Sequence, residues 1–203
     1  HNMALNFANN NSLSAITTKP SGLSGGALNL ISTQTASSSS TISFTSGIDG
    51  TYDSYVFKFY DIHPANDNVE FSFQANVSGG SGYNETVTST MFYAYHQEDD
   101  GGAGLGYSTS GDQAQGTNFI KLGLSLGNDN DQSLSGTLQL FNPSSTTFVK
   151  HFIARCNYAH PSNISEEDNK AGYFNTTSAI DEIQFKMSSG NIDSGVIKLY
   201  GVS

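Results

Sequence analysis

The stretch IDEIQFKMSSGNIDSGVIKLYGVS, from Ile180 to Ser203, carries the clearest structural pattern in the chain. Apolar and polar residues alternate in IDEIQFKM and again in VIKLYGV, which is the period of a β-strand with one buried face. The four residues SSGN lie between the two runs, and glycine or asparagine adopts the positive φ of a tight reversal at little cost. The stretch therefore predicts a closing hairpin. We expect this hairpin to return to the centre of the sheet, beside the strands that follow Thr41.

The same period of two recurs in most of the chain upstream. It is present in TISFT, SYVFKFYDI, VEFSFQANV, TVTSTMFYAYH, NFIKLGLSLG and SLSGTLQLF, whereas TTFVKHFIARCNY is apolar on both sides, as is typical of a central strand. Turn-rich breaks such as SGGSG, EDDGGAG and SNISEEDNKAG separate the runs. About nine strands with one apolar face each are not stable as a single open sheet. The sequence therefore predicts an all-β fold, an antiparallel β-sandwich of jelly-roll type, with residues 41–203 as one domain.

The N-terminal residues differ from this pattern. His1 and Asn2 precede Met3 and are interpreted as a cloning remnant, and residues 3–40 as an extended arm and linker that is too apolar for a disordered tail. The apolar residues that we expect to mediate assembly are Leu5, Phe7, Leu13, Ile16, Leu23 and Leu28. Two packings stay open, because such an arm can lie on its own sandwich or on a neighbouring subunit.

Composition restricts the partners. The chain of 203 residues has 18 acidic and 8 basic residues and a formal charge of −10, so phosphate backbones would repel it and no nucleic-acid partner is expected. No apolar run reaches 18 residues, so no membrane insertion is predicted, and the start lacks the features of a signal peptide. The single cysteine, Cys156, shares its side with Phe152 and Ala154, so we expect a buried, unreactive thiol.

The sequence contains only incomplete matches to catalytic and metal-binding motifs. GLSGG, at residues 22–26, matches a nucleophile-elbow pattern but lacks the flanking strand and helix that the pattern requires. Asp129 and Asp131 have the first spacing of an EF-hand, but Leu134 and Leu140 occupy its sixth and twelfth positions, which excludes that motif. An irregular calcium site, either at these two aspartates or at Glu98-Asp99-Asp100, stays an alternative to a solvated turn. We therefore predict no enzyme, no catalytic residue and no cofactor.

Four phrases cover much of the chain and carry a resemblance. They are MALNFANNNSLSAIT, SGIDGTYDSYVFKFYDIHPANDN, GYNETVTSTMFYAYH and AIDEIQFKMSSGNIDSGVIKLYG. Together they resemble virion structural proteins of tailed phages, particularly marine phages that infect cyanobacteria, of the tail-fibre or capsid-appendage type. The resemblance runs from Met3 to Val202 and is most specific at its end. It implies a non-enzymatic role on the virion surface after synthesis in the bacterial host cytoplasm, and it assigns no functional residue.

Three hypotheses follow. The leading one is a structural protein exposed on the particle, either a capsid knob or decoration protein or a tail-fibre component, docked through its N-terminal arm onto other virion proteins or copies of itself. The alternative is a carbohydrate-binding module that recognises host-surface glycans, since jelly rolls bind sugars and tyrosines stack on them. A glycoside-degrading enzyme ranks last, because the acidic residues cluster in turns such as HQEDD. An open groove lined by tyrosine and carboxylates would favour the alternative.

Overall fold

A computed structural model describes residues 28–203, and these residues form thirteen β-strands and no helix. The described part of the chain thus has no helix that could span a membrane. The strands are β1 (Asn29–Ser39), β2 (Ile42–Phe44), β3 (Ser54–Pro64), β4 (Val69–Val77), β5 (Val87–Gln97), β6 (Ala103–Tyr107), β7 (Gln113–Gly116), β8 (Ile120–Leu126), β9 (Leu134–Phe141), β10 (Lys150–His160), β11 (Ile164–Phe174), β12 (Ile180–Met187) and β13 (Ile192–Val202).

The strands form two antiparallel sheets. The large sheet has the order β1-β13-β3-β9-β10-β11-β5-β6, with β7 also paired to β5, and the small sheet has the order β2-β12-β4-β8. The prediction of an all-β, antiparallel, sandwich-like fold is therefore confirmed, with thirteen strands in the described residues rather than about nine. The additional strands are β1, β6, β7 and β11. The last of these was interpreted as a turn-rich break because ISEEDNK lacks the apolar alternation of a strand.

The segment at residues 29–39, which the sequence analysis assigned to the arm and linker, is a strand of the sandwich itself. It pairs along its length with β13, from Asn29 opposite Gly201 to Ser39 opposite Ile192. The predicted boundary between arm and domain, at residue 40, is thus too late. The serine run Ser37–Ser40 lacks an apolar pattern, but a strand at a sheet edge can pair through its backbone without one. Residues 1–27, which include Leu5, Phe7, Leu13, Ile16 and Leu23, lie outside the described residues.

The two closing strands do not form the predicted hairpin. β12 lies between β2 and β4 in the small sheet, whereas β13 lies between β1 and β3 in the large sheet. The turn between them, with Gly190 at φ +70°, therefore connects the two sheets. As expected, each lies beside a strand that follows Thr41, β12 beside β2 and β13 beside β3, but each is second from the edge of its sheet rather than at its centre. The hairpin prediction is wrong because a hairpin and a sheet-to-sheet connection have the same local pattern of alternation and turn.

Phenylalanine side chains fill the space between the sheets. Phe185 on β12 is fully buried, and its ring centroid lies within 6.3 Å of the centroids of five other phenylalanines. These are Phe44, Phe57, Phe59, Phe71 and Phe73. Most of these ring pairs meet edge to face, which adds a favourable quadrupole interaction to the burial of apolar area. The clustered side chains come from strands of both sheets and form the centre of the core.

The large sheet extends beyond the small one. Past β9 it continues through β10, β11, β5 and β6, and we call these four strands the extension. The inner face of β10 packs against β8, the edge strand of the small sheet. Polar groups then join this edge to the large sheet: the Lys170 ammonium donates to the carbonyls of Lys121 and Gly111, and the Tyr158 hydroxyl accepts from the Leu124 N–H at 3.3 Å. Two backbone groups of β8, the Lys121 carbonyl and the Leu124 N–H, are thereby satisfied.

Candidate functional site

The outer face of the extension carries an exposed apolar patch. Its members are Phe92 (50% exposed), Leu105 (76%), Tyr107 (54%) and Ile153 (55%). Phe92 on β5 lies opposite Tyr107 on β6, and Leu105 lies opposite Ala94. The outer face of an antiparallel sandwich is usually polar, and clustered exposed apolar side chains mark interaction surfaces. We call these four residues the outer apolar patch.

A depression of about 440 Å³ lies beside this patch, and we call it the outer groove. The register explains its shape: Ala171 on β11 and Thr90 on β5 lie side by side, so that small side chains form the floor, and Ile153 on β10 lies next to them. The lining residues are Thr88, Ser89, Thr90, Phe141, His151, Phe152, Ile153, Ala171, Gly172 and Tyr173. The list contains no acidic residue, lysine or arginine. The groove is thus uncharged apart from a histidine in a chain whose formal charge is −10.

An ion pair lies next to the groove on the same face. Arg155 on β10 donates two hydrogen bonds to the Glu167 carboxylate of β11, at 2.6 Å and 2.9 Å. The Arg155 guanidinium and the Asn169 amide hold the pKa of Glu167 below its usual value. Both charges are satisfied by each other, so they limit the apolar surface on this side without offering a free charge to a ligand.

The inner face of the extension presents two tyrosines. The rings of Tyr93 and Tyr95 on β5 lie 6.4 Å apart at an interplanar angle of 24°, and both side chains are half-buried. They rest on the glycines of β6, because a Cβ on Gly104 would lie 2.7 Å from Tyr95 Cε1 and one on Gly106 would lie 2.9 Å from the Tyr93 hydroxyl oxygen. A side chain at either glycine would displace a ring. We call Tyr93 and Tyr95 the tyrosine pair.

A buried carboxylate lies next to the tyrosine pair. Asp168 on β11 is directly opposite Tyr93 and is only 2% exposed, and neither of its oxygens has a hydrogen-bond partner among the described residues. Burial, and then the charge of Glu166, raises the pKa of Asp168 to about 7. Burial lowers the pKa of Lys170, two residues further along the same strand, to about 8. Both charges are therefore costly where they lie.

Cys156 is buried, as the sequence predicted. Its side chain lies on the inner face of β10 with Phe152, Ala154 and Tyr158 and is 1% exposed. Burial and the neighbouring Asp168 raise the pKa of the thiol well above its usual value, so the reactive thiolate is disfavoured.

The folded protein is expected to resist thiol reagents at pH 8. Because its thiol is buried and protonated, Cys156 should react at least about 100-fold more slowly than an exposed cysteine introduced at Thr137, and one thiol per chain should become reactive in guanidinium. A colorimetric thiol assay with and without denaturant measures this. Rapid reaction of the native wild-type protein would contradict the burial of Cys156.

Within the described residues, no set of calcium ligands forms around Asp129 and Asp131. Asp129 and Asp131 lie in the turn between β8 and β9, which Gln132 closes: its side-chain oxygen accepts from the Asp129 N–H at 3.1 Å, and its N–H donates to the Asp129 carbonyl at 2.8 Å. Within residues 28–203, no three His, Cys, Asp or Glu side chains are placed to hold a metal ion. Calcium binding at the two aspartates stays an alternative to the predicted absence of a metal site.

Of the six arm residues, only Leu28 is described, and it lies exposed immediately before β1. Comparison of the chain with models of protein families, with curated proteins and with solved structures finds no match. The function is therefore argued from the geometry of the surfaces.

Sequence reasoning missed the outer face of the extension. One signal was present: TTFVKHFIARCNY is apolar on both sides, and β10 indeed lies inside the large sheet. Ile153, on the second apolar side of this strand, is more than half exposed, which the pattern of a central strand does not predict.

Proposed function

We propose that this protein is a non-enzymatic structural component exposed on the surface of a phage particle, where it contacts other virion proteins and copies of itself. The observation that carries the proposal is the outer apolar patch with its adjoining groove. Exposed apolar surface of this kind is a liability for an isolated protein and is useful where a partner covers it. The proposed role is that of a capsid knob or decoration protein or a tail-fibre component, in agreement with the resemblance of the sequence.

The strand order supports a jelly-roll type of sandwich. The eight strands β1, β2, β3, β4, β8, β9, β12 and β13 form the two facing sheets without the extension. Numbered one to eight along the chain, they have the orders 1-8-3-6 and 2-7-4-5, which is the arrangement that two Greek keys produce in a jelly roll. Viral capsid domains and lectins both use this architecture, so it agrees with the proposal and with its alternative.

Immunogold labelling of phage particles tests the proposed location. Antibody against this protein is expected to bind intact particles, and electron microscopy shows where. Label over the head would assign a knob or decoration protein, and label along or at the tip of the tail would assign a fibre component. Particles from which the protein is missing, both by labelling and by mass spectrometry of purified virions, would overturn the proposal.

A second candidate function is recognition of host-surface glycans, and the tyrosine pair favours it. Two near-parallel tyrosine rings, supported by glycines and flanked by Glu166 on the neighbouring strand, offer the apolar platform and the hydrogen-bond acceptor on which a sugar ring can stack. This candidate places the ligand on the inner face of the extension rather than on the outer groove.

A glycan array probed with the purified protein tests this candidate. Tyr95→Ala is expected to weaken binding of any captured glycan roughly 3- to 10-fold, which corresponds to the loss of one aromatic stacking contact. Tyr60→Ala, which removes an exposed tyrosine of β3 away from this surface, serves as the matched control and should bind normally. Equal binding by both variants would exclude the tyrosine pair as the sugar platform.

A further inference from the structure

The outer groove has a shape and chemistry that suit a narrow, uncharged occupant, and the chain itself contains one. We propose that the outer groove binds the N-terminal segment of this protein, residues 3–16. The inference deepens the proposed function, on which it rests for its biological meaning, because it names the surface onto which the arm docks.

The N-terminal segment and the lining of the outer groove have complementary chemistry. Residues 3–16, MALNFANNNSLSAI, carry no charged side chain and place five large apolar residues among alanine, asparagine and serine: Met3, Leu5, Phe7, Leu13 and Ile16. All 18 acidic residues of the protein lie within residues 28–203, together with 7 of the 8 basic ones. An uncharged segment gains nothing from the acidic parts of this surface. It can bury apolar side chains in a groove whose lining contains no acid, lysine or arginine.

The described chain begins at the same end of the large sheet as the outer groove. Asn29, the first residue of β1, lies opposite Gly201, and the same end of the large sheet contains Ser54, Phe141 and Lys150. Phe141 lines the outer groove, so the arm leaves the sheet at the end where the groove lies. The groove strands β10 and β11 are four and five strands away from β1, which corresponds to about 19–24 Å at the spacing of paired strands.

The segment between Ile16 and Leu28 is long enough to reach the outer groove. Twelve peptide units separate Ile16 from Leu28, and an extended chain of this length spans up to about 40 Å. Ile16 and the residues before it can therefore reach the groove of their own copy. They can equally reach the groove of a neighbouring copy that lies against this end of the sheet. The tether gives the segment a millimolar effective concentration at a nearby groove, which favours this occupant over a free peptide.

Photo-crosslinking of the full-length protein tests the inference. The photoreactive residue p-benzoylphenylalanine replaces Phe7, the purified protein is irradiated, and mass spectrometry maps the attached residues. We expect cross-links to the groove lining, in particular to Ile153, Thr90 and Tyr173. A mixture of isotopically light and heavy copies shows whether the groove belongs to the same copy or to a neighbour, and either result supports the inference.

A groove-filling variant provides the control. Ala171→Phe places a large side chain on the exposed floor of the groove and is expected to reduce the cross-link yield at least 5-fold. Thr137→Phe makes a similar change on an exposed position of β9, on the same face but outside the groove, and should leave the yield unchanged. Equal thermal stability of the two variants would show that both are folded.

Two outcomes would overturn the inference. One is a cross-link pattern confined to surfaces other than the groove, such as the tyrosine pair; the other is a groove cross-link that Ala171→Phe does not reduce. The experiment uses purified protein without particles, so it can fail while immunogold labelling still finds the protein on virions. Conversely, a protein that is missing from virions can still show the groove cross-link, and the two proposals can therefore be distinguished.

Discussion

Replacing Phe185 with Asp is expected to leave the protein unfolded at 25 °C. The Phe185 ring is fully buried and contacts aromatic rings from both sheets, so its loss removes the residue on which the core converges. Deleting a buried phenylalanine side chain costs roughly 3–5 kcal/mol, and burying a carboxylate without a partner adds several kcal/mol more. The sum reaches or exceeds the stability of about 5–15 kcal/mol that is usual for a domain.

Circular dichroism and urea denaturation measure this effect. The matched control is Leu105→Asp, which makes an apolar-to-acid change on the exposed outer face of β6, outside the outer groove, and should retain a cooperative transition close to that of the wild type. A Phe185→Asp protein with an unchanged melting temperature would contradict the burial of this face of β12.

Replacing Asp168 with Asn is expected to stabilise the protein at pH 8. The carboxyl has a pKa of about 7 in the fold and about 3.9 in the unfolded chain, so between these values the folded state binds more protons than the unfolded state. Stability therefore falls as pH rises from about 4 to about 7. This contribution amounts to about 4 kcal/mol at most, and Asn, which is uncharged at every pH, should remove it.

The groups that face Asp168 shape this dependence. Glu166 raises the pKa of Asp168, whereas the Lys170 ammonium, and after it the nearby Leu124 N–H and Tyr158 hydroxyl, lower it. The Tyr158 hydroxyl and the Cys156 thiol themselves stay neutral in this range. The Lys170 pKa of about 8 lies below its unfolded value of about 10.4, so stability should rise again above pH 8 as the unfolded state keeps the proton longer. The least favourable range is thus near pH 7–8.

Urea denaturation of wild type and Asp168→Asn at pH 4.5 and pH 8 tests this prediction. The two proteins should have similar free energies of unfolding at pH 4.5, and the variant should be more stable at pH 8. Glu167→Gln is the control on the same strand, because Glu167 is paired with Arg155 and has a lowered pKa; its loss should not stabilise the protein at pH 8. A variant that is less stable than wild type at pH 8 would show that the Asp168 charge is favourable in the fold.

Strands β3 and β11 show which strands could be predicted from the sequence and which could not. In β3 the alternation of SYVFKFYDI placed Tyr55, Phe57 and Phe59 on one buried face, and the structure confirms it. In β11 the run ISEEDNKAG has no such alternation, because its inner face carries Asp168 and Lys170. The Lys170 ammonium is held by carbonyls of other segments, whereas neither Asp168 oxygen has a hydrogen-bond partner among the described residues, and no local pattern indicates either environment. The strand was therefore missed.

The candidate surfaces were less accessible to prediction. By residue type alone, several tyrosines of the sequence could stack on sugars, among them Tyr52, Tyr55, Tyr60, Tyr83, Tyr93, Tyr95 and Tyr107. The structure separates them: Tyr55 is a core residue, Tyr60 and Tyr107 are exposed, and only Tyr93 and Tyr95 form a near-parallel pair on glycines. The outer groove was not predicted, since it arises where small residues of β5 and β11 meet side by side.

By itself, the sequence determined the all-β class, most strand positions and the buried face of each strand that it recognised. It could do so because the period of two is local: a residue's side of a strand depends only on its neighbours in the chain. Only the tertiary structure decided which sheet each strand joins, as in the separation of β12 from β13, and which apolar side chains stay uncovered, as on the outer face of β10. Strand pairing and exposure depend on segments far apart in the chain, and alternation contains no information about which of them meet.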